Sequence, residues 1–239
     1  MKLLEEIQCI AAGKRKIRIE NQLSPGVFHE YLKVEDVREV YHISFVTTDM
    51  VWISDSSGHT ILTNKKGTRL HILADTGSRT GGHCVNREGN LIYVDKYHNI
   101  NKLSTDKKTH KRLLKNTESW EAKCVHCSPF NADLLVGMRR YERNKPDYSD
   151  AKVMRYSSEG QEIETIYNDK GRKLYKFPRY ITENHNGDVI VSDLYKHAVV
   201  VTNPEGIHRF SYTGPPTEPE LSLSGGKQCF TYTRKAIIR

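Results

Sequence analysis

The run Asp188-Val189-Ile190-Val191-Ser192-Asp193 decides the fold. A polar turn, Leu194-Tyr195-Lys196-His197, follows it, then a second apolar run, Ala198-Val199-Val200-Val201, which closes on Asn203-Pro204-Glu205-Gly206. The same order occurs earlier as Val51-Trp52-Ile53-Ser54-Asp55, Ser56-Ser57-Gly58-His59 and Thr60-Ile61-Leu62-Thr63, closing on Asn64-Lys65-Lys66-Gly67. Between these copies, Leu91-Ile92-Tyr93-Val94-Asp95 leads through Lys96-Tyr97-His98 into Asn99-Ile100-Asn101-Lys102-Leu103. A fourth unit begins at Asp133-Leu134-Leu135-Val136-Gly137-Met138 and returns along Lys152-Val153-Met154-Arg155-Tyr156, after a charged insertion at 139–150 that holds Pro146. Asp55 and Asp95 lie 40 positions apart, and a period of that length built from short strands is the mark of a propeller blade. Helical repeats of similar length need apolar residues at i, i+3, i+4 and i+7, which these runs lack. Turns at Gly67, Asp106-Lys107-Lys108, Gly160 and Gly206 supply the hairpin punctuation. The expectation is an all-β propeller whose function lies on a binding surface.

Composition sets limits on that expectation. A chain of 239 residues can bury a sizeable core as one domain, and no low-complexity linker divides it. Thirteen tyrosines and a mean hydropathy of −0.64 suit a half-exposed β protein, and no apolar run is long enough to cross a bilayer. Glu5 and Glu6 stand where a signal peptide carries its apolar stretch, which points away from secretion. Five irregularly spaced cysteines do not read as a disulfide framework, so a reducing cytoplasm is the simpler setting. The net charge of +8 has two readings. Lysines keep sheet edges from pairing, or a basic face attracts an anion such as RNA.

The strands of a blade run from the innermost to the outermost, and in the second unit they are expected at 83–86, 90–94, 100–103 and 111–114. Loops between strands two and three, and connections between blades, then share one face. That face would carry Lys96, Tyr97, Arg139, Arg140, Tyr141, Arg143, Lys145, Tyr195 and Lys196, with Lys123, Lys176 and Arg179 in the inter-blade connections. Lys107 and Lys108 fall on the opposite turns. Interleaved cations and aromatics can hold phosphates while stacking exposed bases.

A recurring piece, Asp-x-x-x-His-x-(Ile/Val), is found as Asp55…His59-Thr60-Ile61 and Asp193…His197-Ala198-Val199, and one residue shorter as Asp95…His98-Asn99-Ile100. It resembles the NHL repeat, a unit of six-bladed propellers at the C-terminus of many tripartite-motif (TRIM) proteins. The resemblance covers residues 41–214 and is closest over 177–214, where Pro178-Arg179-Tyr180-Ile181-Thr182-Glu183-Asn184 looks like an inner strand and its approach. The third unit departs, with Gly137-Met138 in place of Ser-Asp and no histidine after it. The family implies recognition of an RNA or protein partner, in some members as the substrate-binding part of a ubiquitin ligase. A RING needs a dense Cys/His array, which this chain lacks, so ligase activity is not carried over.

The remaining chemical motifs fit structural roles. Cys124-Val125-His126-Cys127 lacks the second Cys/His pair a zinc site needs, and strand alternation points Cys124 and His126 away from Val125 and Cys127. The Asp/His pairs (Asp55 with His59, Asp95 with His98, Asp193 with His197) fall in separate turns. Their aspartates are expected to accept turn N–H groups and their histidines to pack between blades. No cofactor or metal is called for on these grounds. The alternative is a metal-dependent hydrolase or lyase of the six-bladed kind, drawing on Glu183, Asn184 and Asn86 at inner-strand ends. Thr47-Thr48 and Cys127-Ser128 at the comparable places are poor ligands for a hard cation. Trp52 and Trp120 are expected in core and rim packing.

The ends fit less well. Leu3, Ile7 and Ile10 have helical spacing, with an ordinary turn as the other reading, and strands of a partial blade are expected at 17–20 and 27–34. Residues 215–239 lack the marks of the repeat. The organisation expected is an N-terminal segment at 1–40, blades at 41–214 and a divergent tail at 215–239. Four full blades with fragments at both ends imply an open arc, as in a truncated or degenerate paralogue.

Overall fold

The computed structural model describes residues 8–9, 31–32, 34, 37, 39–74, 76, 82–116, 119–141 and 150–214. Arg143, Lys145, Leu3, Ile7, Ile10, residues 17–20, the tail at 215–239 and most of 27–34 lie outside them. Residues 1–75 form one compact unit and residues 76–239 a second.

In the first unit, β1 (Gln8–Cys9) pairs in parallel with β2 (Tyr31–Leu32). Blade A follows as an antiparallel meander of β3 (Val40–Phe45), β4 (Met50–Asp55), β5 (Thr60–Asn64) and β6 (Arg69–Leu73). Val51, Ile53 and Ile61 pack there with Val34 and Val37, and Trp52 is buried edge-on to His71.

Among the described residues, the second unit holds three blades. Blade B is β7 (His83–Val85), β8 (Leu91–Val94), β9 (Ile100–Leu103) and β10 (His110–Leu114). Blade C is β11 (Glu121–Cys127), β12 (Leu134–Arg140), β13 (Asp150–Tyr156) and β14 (Glu162–Ile166). A small hairpin, β15 (Asn168–Asp169) with β16 (Arg172–Lys173), precedes blade D. Blade D is β17 (Pro178–Glu183), β18 (Val189–Asp193), β19 (Ala198–Thr202) and β20 (His208–Tyr212). All three are antiparallel meanders, and no helix occurs among the described residues.

Burial explains why the middle strands read as continuous apolar runs. Every residue of β18 and β19 is buried, whereas every residue of β20, outermost in its blade, is exposed. A middle strand is covered on both faces, so its side chains are apolar on both. Cys124, Leu135, Ala151 and Val153 of blade C meet Tyr175, Ile181, Val189, Val191, Ala198 and Val200 of the C–D connection and blade D. The opposite face of blade C places Ala122, Val125, Cys127, Leu134 and Val136 against Cys84, Ile92, Val94 and Ile100 of blade B. Cys124 and Cys127 therefore serve different interfaces. Each such Leu or Ile contributes about 1.5–3 kcal/mol when fully buried.

The departure at Gly137 has a steric cause. A Cβ there would lie 2.5 Å from Cys124 Sγ and 2.7 Å from Pro178 Cβ. Blade D approaches so closely that only hydrogen fits. Gly137 and Met138 pair with Cys124 and Ala122, as Ser192 and Asp193 pair with Tyr180 and Pro178. From that point β12 runs on to Arg140, where blade D has already turned.

Candidate recognition face

In blades B and D the turn after the second strand is held by its own aspartate and tied to the neighbouring segment of chain. After β8, Asp95 Oδ1 accepts the N–H groups of Tyr97 and Asn99, both at 2.9 Å, and its other oxygen accepts the side-chain amides of Asn99 and Asn101. Burial alone would raise the Asp95 carboxyl, but these hydrogen bonds outweigh it and hold the group below its ordinary value. His98 takes the left-handed conformation, φ 64°. Its Nδ1 is 3.1 Å from the Ala122 carbonyl of blade C, and its Nε2 is 3.7 Å from Glu121. So fixed, the turn presents Tyr97, 65% exposed, with Lys96 Nζ 5.3 Å from its ring centre.

Asp193, fully buried, organises the matching turn of blade D. It accepts the N–H of Lys196 at 3.0 Å and those of Lys176 and Phe177 in the C–D connection at 2.7 and 3.0 Å. This brings Phe177 against Tyr195, ring centres 5.1 Å apart, and leaves Tyr195 49% exposed. Lys196 Nζ donates to the Lys173 carbonyl, tying the turn to β16. Burial lowers the Lys196 ammonium from its ordinary value, with Asp193 opposing that shift and Lys176 adding to it. In blade A, Asp55 Oδ1 accepts from the N–H groups of Ser57 and His59, and His59 Nδ1 lies 3.9 Å from the same oxygen. His197 shares the left-handed geometry, φ 51°.

Arg139 joins these pieces. It is only 4% exposed, and its guanidinium lies 4.2 Å from the Tyr141 ring centre, 4.8 Å from Tyr195 and 4.9 Å from Phe177. One guanidinium nitrogen donates to the Tyr141 hydroxyl at 2.8 Å. A sequence reading expects Arg139 to reach for a partner, but its side chain supports the face from beneath. Tyr141 stays 52% exposed, with Lys123 Nζ 5.5 Å from its ring. Further out, Arg140 pairs with Asp150 at 2.6 Å, and both Arg140 and Lys152 lie over Trp120, at 5.2 and 4.6 Å. Lys173 also bonds Asp150. Burial would raise the Asp150 carboxyl, but Lys173, Arg140 and Tyr167 hold it below its ordinary value.

Two cations enter the face through bulges, which a single sequence does not announce. The β11–β12 register shifts between Ala122 and Cys124, leaving Lys123 as the extra residue, and the β17–β18 register does the same at Arg179. A bulge re-aims its side chain. Lys123 meets Glu121 at 2.7 Å and Arg179 lies 5.8 Å from the Tyr180 ring. The hairpin at β15–β16 is a further part that sequence reading missed, although Asn168-Asp169-Lys170-Gly171 carries its signal, with positive φ at Lys170 and Gly171.

On the opposite side, Asn86 Oδ1 and Asn184 Oδ1 each accept two N–H groups of their own turns. Glu183 binds Arg155 at 2.8 Å, and Asp133 lies 3.5 Å from the same guanidinium. Burial lowers the nearby His126 imidazole to about 4, with Glu183 opposing and Arg155 reinforcing the shift. Among the described residues, no three His, Cys, Asp or Glu side chains gather where they could share one metal ion.

No model of a known protein family matches the chain, and no curated protein sequence matches it. Solved structures do. A protein of unknown function from Bacteroides caccae superposes with TM-score 0.53 at 11% identity, over 71% of this chain and 59% of the other. Streptogramin B lyase superposes with TM-score 0.52 at 14% identity, over 74% of this chain and 55% of the other. The extracellular domain of a putative hybrid two-component system from B. thetaiotaomicron gives 0.53 at 14% identity, over 74% of this chain and 22% of the other. The chain thus spans little more than half the length of the first two. The meandering four-stranded blades and these likenesses define a β-propeller protein. Among the described residues no helix is long and apolar enough to cross a membrane.

Proposed function

We propose that this chain is a non-enzymatic recognition module, a propeller of the six-bladed NHL type, that binds its partner through the face just described. One observation carries the proposal. Tyr97, Tyr141 and Tyr195 are half to two-thirds exposed on one face, and each ring lies beside a cation. Rings fixed in this way need little ordering on binding, and the neighbouring lysines and arginines favour an anionic partner. Stacking planes beside cations suit single-stranded RNA better than a flat acidic protein surface, since every base has a face to stack. In a TRIM-like arrangement the module would serve as the substrate-recognition part.

Fluorescence anisotropy with a labelled single-stranded oligoribonucleotide tests this. Stacking is worth about 1–3 kcal/mol per base, so Tyr97→Ala combined with Tyr195→Ala should weaken binding by roughly 30-fold or more. Affinity should also fall with salt, by a slope of about −0.7 for each phosphate contacted. Wild-type affinity in the double variant would exclude this face. An acidic protein retained in pull-downs after nuclease treatment, with no RNA binding, would move the partner to the protein class.

A further inference from the structure

Two thiols play no part in the recognition face. Cys84 lies at the middle of β7 and Cys127 at the end of β11, the innermost strands of neighbouring blades B and C. Both point into the core between those blades, where their Sγ atoms stand 2.6 Å apart. The pleat selects this pair. Cys124, three residues before Cys127, points into the C–D core and cannot reach Cys84. Cys84 and Cys127 are each 8% exposed. Burial, with the neighbouring Cys127, raises the Cys84 thiol well above its ordinary value. Cys84 therefore rests as a thiol at neutral pH and reacts slowly.

We propose that Cys84 and Cys127 are an oxidisable dithiol that closes to a disulfide between blades B and C, with a small-molecule disulfide of the glutathione type as oxidant. One thiol gives up its proton and attacks the oxidant, breaking its S–S bond and forming a mixed disulfide. The departing glutathione thiolate takes the proton. The second protein thiol, deprotonated in turn, attacks the mixed disulfide and releases another glutathione. Two protein thiols are oxidised by two electrons, one oxidant disulfide is reduced to two thiols, and no other reactant is needed. The link would close a loop spanning 43 positions of sequence and add a covalent tie to the apolar packing and the His98 contacts that already join the two blades. It stands apart from the recognition reading and survives the failure of that reading.

The full chain is incubated with oxidised glutathione, and in a second arm refolded in a glutathione redox buffer. Remaining thiols are alkylated and the peptides mapped without reduction. The expected result is a Cys84–Cys127 link in at least one arm, reversed by dithiothreitol, and a rise in Tm of roughly 10 °C in the linked form. Cys124→Ser should form the same link. Absence of the link in both arms, or pairing of either thiol with Cys9, Cys124 or Cys229, overturns the proposal.

Discussion

Gly137→Ala is the sharpest probe of how the blades fit. The added Cβ would stand 2.5 Å from Cys124 Sγ and 2.7 Å from Pro178 Cβ, whereas packed carbon atoms settle at about 3.5–4.0 Å. Neither neighbour can retreat easily. Cys124 is fully buried among Leu135, Ala151 and Val153. The Pro178 ring is fused to a backbone paired with Asp193, whose carboxylate holds the preceding Phe177 N–H. Overpacking by one methyl costs about 1–3 kcal/mol, and with two rigid neighbours the upper end applies. For a unit of this size that lowers Tm by about 6–12 °C. Cys124→Ala removes the nearer contact and leaves the proline. Alone it should cost about 1–2 kcal/mol through the lost sulfur. Combined with Gly137→Ala, the total should fall short of the sum by about 1 kcal/mol, since the two sites touch. Urea denaturation of the four proteins completes the cycle. A Gly137→Ala protein within about 0.5 kcal/mol of wild type would refute the close-approach argument, and strict additivity would remove the sulfur from it.

Asp193→Ala strips three backbone N–H groups of their buried acceptor and should cost about 3 kcal/mol, because hydrogen bonds to a charged group are worth about 1.5–3 kcal/mol each and water can replace some of them. Denaturation checks the loss, and Asp193→Asn should recover part of it. His126 has the opposite pH sign from a paired histidine. Its pKa falls from 6.5 to about 4 on folding, so its contribution is intact above pH 6.5 and drains away as the pH falls toward 4. Between pH 7 and pH 5 the wild type should lose about 2 kcal/mol through this group. His126→Gln should lose that much less over the same range in paired denaturation curves, and equal slopes would count against the assignment.

The hairpins were legible because each follows from local chemistry. An aspartate closing a strand accepts the N–H groups two and four residues on, as Asp55 and Asp95 do, so Asp-x-x-x-His is itself a turn signal. Strands expected at 90–94 and 100–103 emerge as Leu91–Val94 and Ile100–Leu103. What the chain conceals are the contacts between hairpins. Lys123 and Arg179 reach the face through one-residue register shifts set by the neighbouring strand. The burial of Arg139 depends on Tyr141, Phe177 and Tyr195, which come from three separate segments. The meeting of Cys84 with Cys127 depends on the packing of two pleats 43 positions apart.

This difference also changes what the net charge means. A surplus of +8 suggests a strongly attractive face, yet several of its cations already have partners. Lys123 meets Glu121, Arg140 and Lys173 share Asp150, Lys196 donates to a carbonyl, and Arg139 is enclosed by rings. Ion pairs near the surface contribute little to stability, about 0–1 kcal/mol, but they consume the potential that would draw a distant anion. Lys123 and Arg139 also lie against the rings of Tyr141 and Tyr195. Orientation of aromatic surface, more than bulk charge, is therefore what these residues supply. In the proposed recognition, selectivity would come from where the rings stand, and the charge around them would decide which sign of partner is tolerated.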